Sequence, residues 1–293
     1  MSAGKPSQPQ HYEILGVRVD ALTMPEAATR IVDRAGDARQ PAVYVVKPYV
    51  EFLAAAHTDT HLRQLLNASW MSLPDGVSNQ WAAAYLYGGQ AGWRRAIALG
   101  AGIVLRPQTL TAQVPERFGG TRFTWTLLEA AAKRELSVYL VGSPQGRDIT
   151  MTAAAIRKRL PNLTIVGSWP GSLDGLSGGA LLKALRLQPI EHALVADLKA
   201  KRPNIILVGM GFPLQEELMA KLAPQLHHGV LIGEGGTFDY DSFGGRRRKA
   251  PQAVQTIGLE WLWRLLLEPT RIRRQLAIPR FMRSVYRASK KKA

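Results

Sequence analysis

Short apolar segments rich in β-branched residues alternate along this chain with longer segments whose apolar residues recur every three to four positions. The short segments predict buried strands at Ala42–Val46, Trp70–Leu73, Val138–Val141, Thr164–Val166, Ile205–Val208 and Val230–Ile232. The longer segments predict helices, among them Pro25–Ala35, Val77–Tyr87, Thr121–Arg134 and Leu214–Leu222. Because strands that alternate with helices pair in parallel and need cover on both faces, we expect an α/β fold with a parallel sheet flanked by helices.

Composition divides the chain into three parts. Residues 1–11 are polar and rich in Pro and Ser, which is typical of a disordered lead and lacks the apolar region of a signal peptide. Residues 12–243 form the predicted core, with insertions near 89–113 and 174–202, and residues 244–293 form a basic C-terminal appendage of helical pattern. The longest uncharged apolar stretch lies in the first insertion and is too short to cross a membrane.

Positive charge is concentrated in the appendage. Residues 244–293 contain 14 of the 38 Lys and Arg residues but only two of the 22 Asp and Glu residues, so they carry +12 of the formal net charge of +16. A segment of this kind indicates a polyanionic partner. Three kinds fit the charge: a phosphorylated substrate, an anionic membrane and a nucleic acid.

Loops that directly follow the predicted strands are the first candidates for a functional site, since ligands of open α/β sheets bind beyond the carboxyl ends of the strands. Glycines in such loops let backbone N–H groups approach a phosphate, although ordinary turn chemistry explains each loop equally well. The candidates are Gly142, Gly209, Gly211, Gly235 and Gly236, with Asp239 in the last of these loops. No loop completes a dinucleotide fingerprint or a Walker motif, so a nicotinamide or P-loop enzyme has little support.

Asp75 follows a predicted strand within Pro74-Asp75-Gly76, which holds its carboxylate on a sharp turn. A carboxylate in this position can act as a general base, and the alternative is a cap on the following helix. No metal site is predicted, because His57 and His61 are one helical turn apart but have no third ligand nearby in the sequence. The chain contains no cysteine, which excludes disulfides, Cys-ligated metals and a thiol nucleophile and fits a cytosolic protein.

A series of short motifs occurs in a fixed order along the chain. They are Pro74-Asp75-Gly76, Glu116-Arg117-Phe118-Gly119-Gly120, Val141-Gly142-Ser143-Pro144, Ile165-Val166-Gly167, Val208-Gly209-Met210-Gly211-Phe212-Pro213-Leu214-Gln215-Glu216, Gly235-Gly236-Thr237-Phe238-Asp239, Arg248-Lys249-Ala250-Pro251, and Gly258-Leu259-Glu260-Trp261-Leu262-Trp263-Arg264-Leu265 with Glu268-Pro269. The series resembles the WecG/TagA/CpsF family of bacterial glycosyltransferases over about Tyr12–Arg274.

The resemblance implies a Rossmann-like core that moves a sugar, with inversion and without a bound metal or cofactor, from a UDP donor to a sugar on polyprenyl diphosphate. It implies a peripheral enzyme on the cytoplasmic face of the plasma membrane, in teichoic acid, common antigen, capsule or exopolysaccharide synthesis. By motif, Asp75 resembles the general base, and Arg117 and Gln215 resemble donor-site residues. The appendage arginines resemble a clamp on diphosphate, namely Arg264, Arg271, Arg273 and Arg274. The oligomeric state stays open, and a homo-oligomer is possible.

The chain departs from the family pattern in three places. Lys47-Pro48-Tyr49 replaces the usual Thr-x-Asn segment before Glu51, Arg122 stands where Asp is common, and residues 89–113 are added between the base and the Glu-Arg motif. Because these changes lie near the expected site, the donor stays open among UDP-glucose, a UDP-hexuronic acid and UDP-N-acetylmannosamine.

Apolar residues interleave with arginines in the appendage, which favours an amphipathic element lying on an anionic bilayer. These apolar residues are Trp261, Leu262, Leu265, Leu266, Leu276, Ile278, Phe281, Met282, Val285 and Tyr286. No nucleic acid partner is expected, since no nucleic-acid motif accompanies the charge. Two other functions stay open, a non-catalytic basic adaptor with the same fold and a different nucleotide-sugar enzyme such as an epimerase.

Overall fold

Six parallel strands form the central sheet of the protein in a computed structural model, and a separate two-stranded hairpin precedes them. The strands are β1 (His11–Ile14), β2 (Val17–Asp20), β3 (Val43–Val46), β4 (Met71–Ser72), β5 (Val138–Val141), β6 (Ile165–Trp169), β7 (Ile205–Val208) and β8 (Val230–Gly233). The sheet has the spatial order β4-β3-β8-β7-β5-β6. The predicted α/β fold is confirmed, with β4 shorter and β6 longer than the sequence pattern indicated.

The structure describes residues 11–90, 92–119, 121–143, 148–172, 175–176, 178–187, 193–248 and 277–292, with single positions between 251 and 266. The described helices are α1 (Met24–Gly36), α2 (Val50–Thr58), α3 (Thr60–Asn67), α4 (Val77–Tyr87), α5 (Trp93–Leu105), α6 (Thr121–Lys133), α7 (Ile149–Arg159), α8 (Gly178–Leu187), α9 (Ala193–Lys201), α10 (Leu214–Leu222) and α11 (Ala277–Lys292). Within this part of the chain, no helix is both long and apolar enough to cross a membrane.

Each face of the sheet has its own apolar cluster, because successive side chains of a strand point to opposite faces. In β5, for example, Tyr139 and Val141 belong to one cluster, whereas Val138 and Leu140 belong to the other. Helices α1, α6 and α7 cover the second face, and the other described helices that join a cluster cover the first. Cover on both faces explains why the central strands are continuous apolar runs.

Local signals at the start of the chain had mixed success. Thr23 and Glu26 form the capping box that their spacing indicates, with reciprocal hydrogen bonds at the start of α1. The β1–β2 hairpin was not predicted. Its two-residue turn, Leu15-Gly16, has positive φ at both positions (54° and 86°), the geometry that hairpins favour, but it lacks the Asn or Asp that usually signals this turn. The hairpin is tied to the sheet because Asp20 Oδ2 accepts the Ser72 N–H (2.8 Å).

Helix α11 corrects one expectation about the appendage. Phe281 and Val285, expected on a bilayer, are only 1% and 0% exposed. They pack in the cluster formed with α2 and α4, where the ring centroids of Phe281 and Trp81 lie 6.5 Å apart. The opposite side of the helix is exposed and cationic, at Arg280, Arg283, Arg287 and Lys290. The buried residues Phe281 and Val285 therefore hold the helix on the core, and its exposed side is mainly basic.

Replacement of Phe281 by Ala tests this docking. We expect Phe281→Ala to lower the free energy of unfolding by about 3 kcal/mol or more, because the ring leaves a cavity between α11 and the core. Ile278→Ala is the matched control on the same helix, since Ile278 is 37% exposed, and it should cost less than about 1 kcal/mol. Urea unfolding followed by circular dichroism measures both, and equal losses would contradict the docked position.

Candidate active site at the carboxyl edge of the sheet

Asp75 lies in the loop after β4, and its backbone is fixed from two sides. Its N–H donates to the Pro48 carbonyl oxygen (3.0 Å), in the loop after the neighbouring strand β3. Asn79, fully buried in the first turn of α4, donates its side-chain amide to the carbonyl oxygens of both Pro48 (3.0 Å) and Asp75 (2.7 Å). The N-cap position of α4 is Gly76. The half-buried Asp75 carboxylate is thus presented from a rigid backbone at the edge where ligands of such sheets bind.

The Glu-Arg-Phe-Gly motif packs directly against this loop. The Phe118 N–H donates to the Pro74 carbonyl oxygen (2.7 Å). A Cβ atom on Gly119 would overlap Asp75 Oδ1. Glycine at this position therefore leaves the space that the carboxylate occupies. This contact explains why the Glu-Arg-Phe-Gly motif and the Pro-Asp-Gly motif occur together.

The two charged residues of the same motif have different surroundings. Glu116 Oε2 accepts a hydrogen bond from the Met24 N–H, and a carboxylate at this place also suits the helix dipole of α1. Arg117 is exposed and lies two residues before the glycine that touches Asp75. Arg117 thus belongs to the segment that packs against the Asp75 loop, and its role in donor binding stays a prediction.

Lys47 begins the segment that departs from the family pattern, and it is buried. Its Nζ donates to Glu234 Oε2 (2.7 Å), in the loop after β8, and Thr124 Oγ1 donates to the same oxygen (2.7 Å). The side chains of Lys47 and Glu234 are 6% and 0% exposed. Glu234 Oε1 is buried without a hydrogen-bond partner among the described residues. Because neither charge can remain buried alone, the pair holds the loops after β3 and β8 together.

Tyr49 links the same segment to the loop after β7. Its hydroxyl hydrogen-bonds the Glu51 carboxylate, and its ring packs on Phe52 at a centroid distance of 4.9 Å. Phe52 in turn stacks on Phe212 (3.9 Å), which belongs to the Gly-Met-Gly-Phe-Pro motif. The departing segment is therefore integrated into the packing of three loops.

Gln215, predicted to bind the donor, is buried at the start of α10. Its Oε1 accepts the backbone N–H groups of Gly211 (3.1 Å) and Gly235 (2.8 Å). Its Nε2 donates to Glu216 Oε1 (2.8 Å). The side chain thus joins the loop after β7 to the loop after β8, and donor contact by Gln215 stays a prediction.

The candidate glycines shape these loops. Besides the two glycines bonded to Gln215, Gly209 and Gly142 donate their N–H groups to the carbonyl oxygens of Val141 and Trp169, at 2.8 Å each. Four of the five candidate glycines therefore have N–H groups that donate within the protein. Their role as phosphate ligands stays a prediction, whereas a structural reason for glycine is visible: a Cβ atom would crowd a neighbour at Gly142, Gly209 and Gly236, and Gly211 and Gly235 have positive φ.

The first residues of the basic appendage fold back onto the loop after β8. A Cβ atom on Gly245 would overlap the Asp239 backbone, so glycine permits this approach. Arg247 donates its N–H to the Asp239 carbonyl oxygen (2.8 Å), and its Nη1 lies 3.0 Å from Asp239 Oδ2. A Cβ atom on Gly236 would lie only 2.9 Å from the same Nη1. Arg247 is thus a cationic residue at the carboxyl edge that sequence reasoning did not single out.

Two of the acidic side chains with the spacing or position of metal ligands have ionic partners within the protein. Asp239-Tyr240-Asp241 has the spacing of a metal-binding carboxylate pair, which sequence reasoning missed, but Asp239 is paired with Arg247. His61 Nε2 lies 2.8 Å from Glu217 Oε1, and Arg186 Nε lies 2.7 Å from the same oxygen. Across the described part of the chain, no group of three or more His, Asp or Glu side chains is arranged to hold an ion.

The predicted diphosphate clamp lies outside the described residues. It consists of Arg264, Arg271, Arg273 and Arg274, none of which belongs to the described part of the chain. The clamp therefore stays a prediction.

Glu216 is a titratable group beneath this edge. Burial raises the pKa of its carboxyl to about 7, against the opposing effects of the Gln215 amide and the Lys47 ammonium. Its Oε2 has no hydrogen-bond partner among the described residues. The Glu216 carboxyl therefore gains or loses its proton near neutral pH.

The Lys47–Glu234 pair can be tested by comparison with an exposed pair. We expect Lys47→Met to lower the free energy of unfolding by about 3 kcal/mol or more, since it leaves a buried carboxylate uncompensated. Adding Glu234→Gln should restore much of the loss, because the amide needs no counter-charge. Arg134→Met is the control; it breaks a pair with Asp33 whose side chains are more than half exposed, and it should cost under about 1 kcal/mol. A Lys47→Met loss as small as that of Arg134→Met would contradict the interpretation.

Glu216 predicts a pH dependence with a defined sign. The folded protein binds the proton more tightly than the unfolded chain does, because the folded pKa of about 7 exceeds the ordinary glutamate pKa of 4.5. Stability from this group is therefore greatest below the unfolded pKa and is lost as the pH rises through the folded pKa. We expect Glu216→Gln to remove part of the fall in unfolding free energy between acidic and neutral pH. If the unfolding free energies of wild type and Glu216→Gln changed with pH in parallel, the raised pKa of Glu216 would be contradicted.

Comparison with known protein families matches the chain to the Glycosyl transferase WecG/TagA/CpsF family, over residues 12–98 and 93–293. The two matched segments meet within α5. Together they include every strand of the parallel sheet and every site residue described above. The resemblance seen in the ordered motifs is thereby confirmed, and the chain belongs to the WecG/TagA/CpsF family of glycosyltransferases, which act in cell-surface polysaccharide synthesis.

Proposed function

We propose that the protein is an inverting glycosyltransferase that moves a hexose-type sugar from a UDP-sugar to a sugar carried on polyprenyl diphosphate. The observation that carries this proposal is the Asp75 carboxylate, held at the carboxyl edge by a backbone that Pro48 and Asn79 fix. Family membership supports the reaction class, and the motif resemblance supports the UDP donor and the lipid-linked acceptor.

In the proposed mechanism Asp75 is the general base. Its carboxylate accepts the proton of an acceptor hydroxyl while that oxygen attacks the anomeric carbon of the donor sugar. The bond between the anomeric carbon and the diphosphate oxygen breaks, and UDP departs with the bonding electrons. A single displacement inverts the anomeric centre. A base fixed this rigidly gains from orientation as well as from proton transfer.

The departing diphosphate needs positive charge nearby. Arg247 beside Gly236 and exposed Arg117 supply guanidinium groups at the same edge of the sheet. Arginine suits this task because its planar group forms paired hydrogen bonds to phosphate oxygens. The proposed clamp is completed by the appendage arginines Arg264, Arg271, Arg273 and Arg274. With these groups the reaction proceeds without a metal, and transfer should persist in EDTA.

The appendage is proposed to hold the enzyme on the inner face of the plasma membrane. The outward residues of α11 are Arg280, Arg283, Arg287 and Lys290, and the helix contains no acidic residue. Each basic residue near an anionic surface contributes about 1 kcal/mol of attraction. Such attraction keeps the protein close to a lipid-linked acceptor without a spanning segment.

Substitution of the base tests the catalytic proposal. We expect Asp75→Asn to lower the rate of transfer about 10²–10⁴-fold, since the amide cannot accept the hydroxyl proton. Asp33→Asn is the matched control, because the Asp33 carboxylate lies on α1 in an exposed pair with Arg134, and it should leave the rate unchanged. The measurement is transfer from a panel of UDP-glucose, a UDP-hexuronic acid and UDP-N-acetylmannosamine to a short-chain polyprenyl-diphosphate sugar.

The same panel separates the alternatives. Thermal stabilisation of Asp75→Asn by the donor that the wild-type protein uses would show that the substitution affects chemistry and leaves binding intact. Undiminished transfer by Asp75→Asn would exclude the base assignment. Vesicle binding without any turnover or UDP-dependent stabilisation would favour the basic adaptor instead.

A further inference from the structure

Helix α5 is apolar on two opposite sides. The inner side packs partly buried against the core through Ala96, Leu99 and Ile103. The outer side forms a line of exposed residues, here called the outer stripe, which consists of Trp93, Ile97, Ala101 and Leu105. The three large side chains of the stripe are 61%, 63% and 76% exposed. A helix on a protein surface usually turns polar residues outward, so this one is built for a less aqueous neighbour.

The outer stripe runs the length of the helix. Its members are four residues apart, which places them one above another on the same side. The helix is anchored in this orientation, since Trp81 Nε1 donates to the Ala96 carbonyl oxygen (3.4 Å) and Arg95 Nη2 donates to the Ala84 carbonyl oxygen (2.9 Å). The stripe therefore cannot turn inward without breaking contacts with α4.

The charged residues in the segment that contains the stripe are all positive. No Asp or Glu occurs between Asp75 and Glu116, whereas Arg94, Arg95 and Arg106 do. Trp81 on α4 contacts both α5 and Phe281 of α11, so the basic helix α11 packs on the same element. Apolar residues bordered by cations, with a Trp among them, match the boundary between headgroups and acyl chains of an anionic bilayer. A second copy of the chain would bring like charges together at this face.

We propose that α5 is a membrane-insertion element, whose outer stripe enters the acyl boundary of an anionic bilayer. Helix α11 contributes charge to the same contact, whereas its apolar residues Phe281 and Val285 are used for docking on the core. This inference extends the proposed function and rests on it in one respect, namely that the acceptor is linked to a lipid. It also gives the base a fixed relation to the bilayer, since α4, which carries both helices, begins two residues after Asp75.

Vesicle binding by the full-length chain tests this proposal. The variant Ile97→Gln/Leu105→Gln removes apolar surface from the outer stripe without a change of charge. Its matched control is Met151→Gln/Leu187→Gln, which removes two apolar side chains that are 51% and 71% exposed on other helices. In co-sedimentation with vesicles of phosphatidylglycerol and phosphatidylcholine, we expect the stripe variant to bind roughly tenfold or more weakly than wild type. The control variant should bind as wild type does.

The absence of native cysteine allows a direct measure of insertion. Leu105→Cys and Leu187→Cys each introduce one thiol, which is labelled with an environment-sensitive fluorophore. We expect a blue shift and brighter emission on vesicle addition for the label at 105 and none for the label at 187. High salt should weaken the binding of the protein to the same vesicles, since it screens the attraction between the basic residues and the anionic lipids.

Two results would overturn the proposal. One is equal vesicle binding by the stripe variant and wild type together with no change in the label at 105. The other is lipid-independent self-association in sedimentation velocity that the stripe variant alone abolishes, which would assign the face to a second copy. Both assays omit the donor and the acceptor, so they test membrane insertion even if the protein proves not to transfer a sugar. Conversely, the stripe variant should transfer sugar to a water-soluble short-chain acceptor at the wild-type rate.

Discussion

The buried contact between Lys47 and Glu234 is the interaction on which the candidate site depends. It joins residues 187 positions apart in the sequence, at the ends of two adjacent strands. From Lys47 the contacts continue through Pro48 to Asp75 on one side, and from the Glu234 loop through Gln215 to the loop after β7 on the other. The carboxyl edge of the sheet is therefore one connected structure. A displacement of any loop has to strain a charge pair that cannot be left half satisfied.

This connection changes the meaning of the glycines and of Gln215. A glycine-rich edge in an α/β protein invites the interpretation that backbone N–H groups wait for a phosphate. Here most of those N–H groups already donate to carbonyl oxygens or to the Gln215 side chain. Some of these glycines instead permit a close approach, as Gly209 does beside the Phe238 ring, and others, such as Gly211, adopt positive φ. In the proposed mechanism, the charge that stabilises the departing diphosphate must then come chiefly from side chains such as Arg247, which lies at this edge in an ion pair with Asp239.

Sequence reasoning succeeded where the determining information is local. Buried strands are short apolar runs, and the position of Asp75 directly after one of them is confirmed, whereas its role as the base stays a prediction. It failed where the information lies in a distant contact. Nothing near Asn79 shows that its amide will bind two carbonyl oxygens at the strand ends, and nothing near Phe281 distinguishes a ring that docks on Trp81 from one that meets lipid. Arg247 was one of three adjacent arginines, and only the approach of Gly245 to Asp239 selects it.

The order of strands in the sheet has a consequence for how the chain folds. Strand β8 lies between β3 and β7, so it is the only described strand that connects the pair β3–β4 with the trio β5–β6–β7. Until β8 is added, the sheet consists of two pieces with open apolar edges, and the loop ends that carry Asp75 and Gln215 have no common frame. Because β3 must find a partner far along the chain, assembly is dominated by non-local contacts and is expected to be slow. A partly folded chain would meanwhile expose unpaired strand edges, which favour aggregation until β8 is in place.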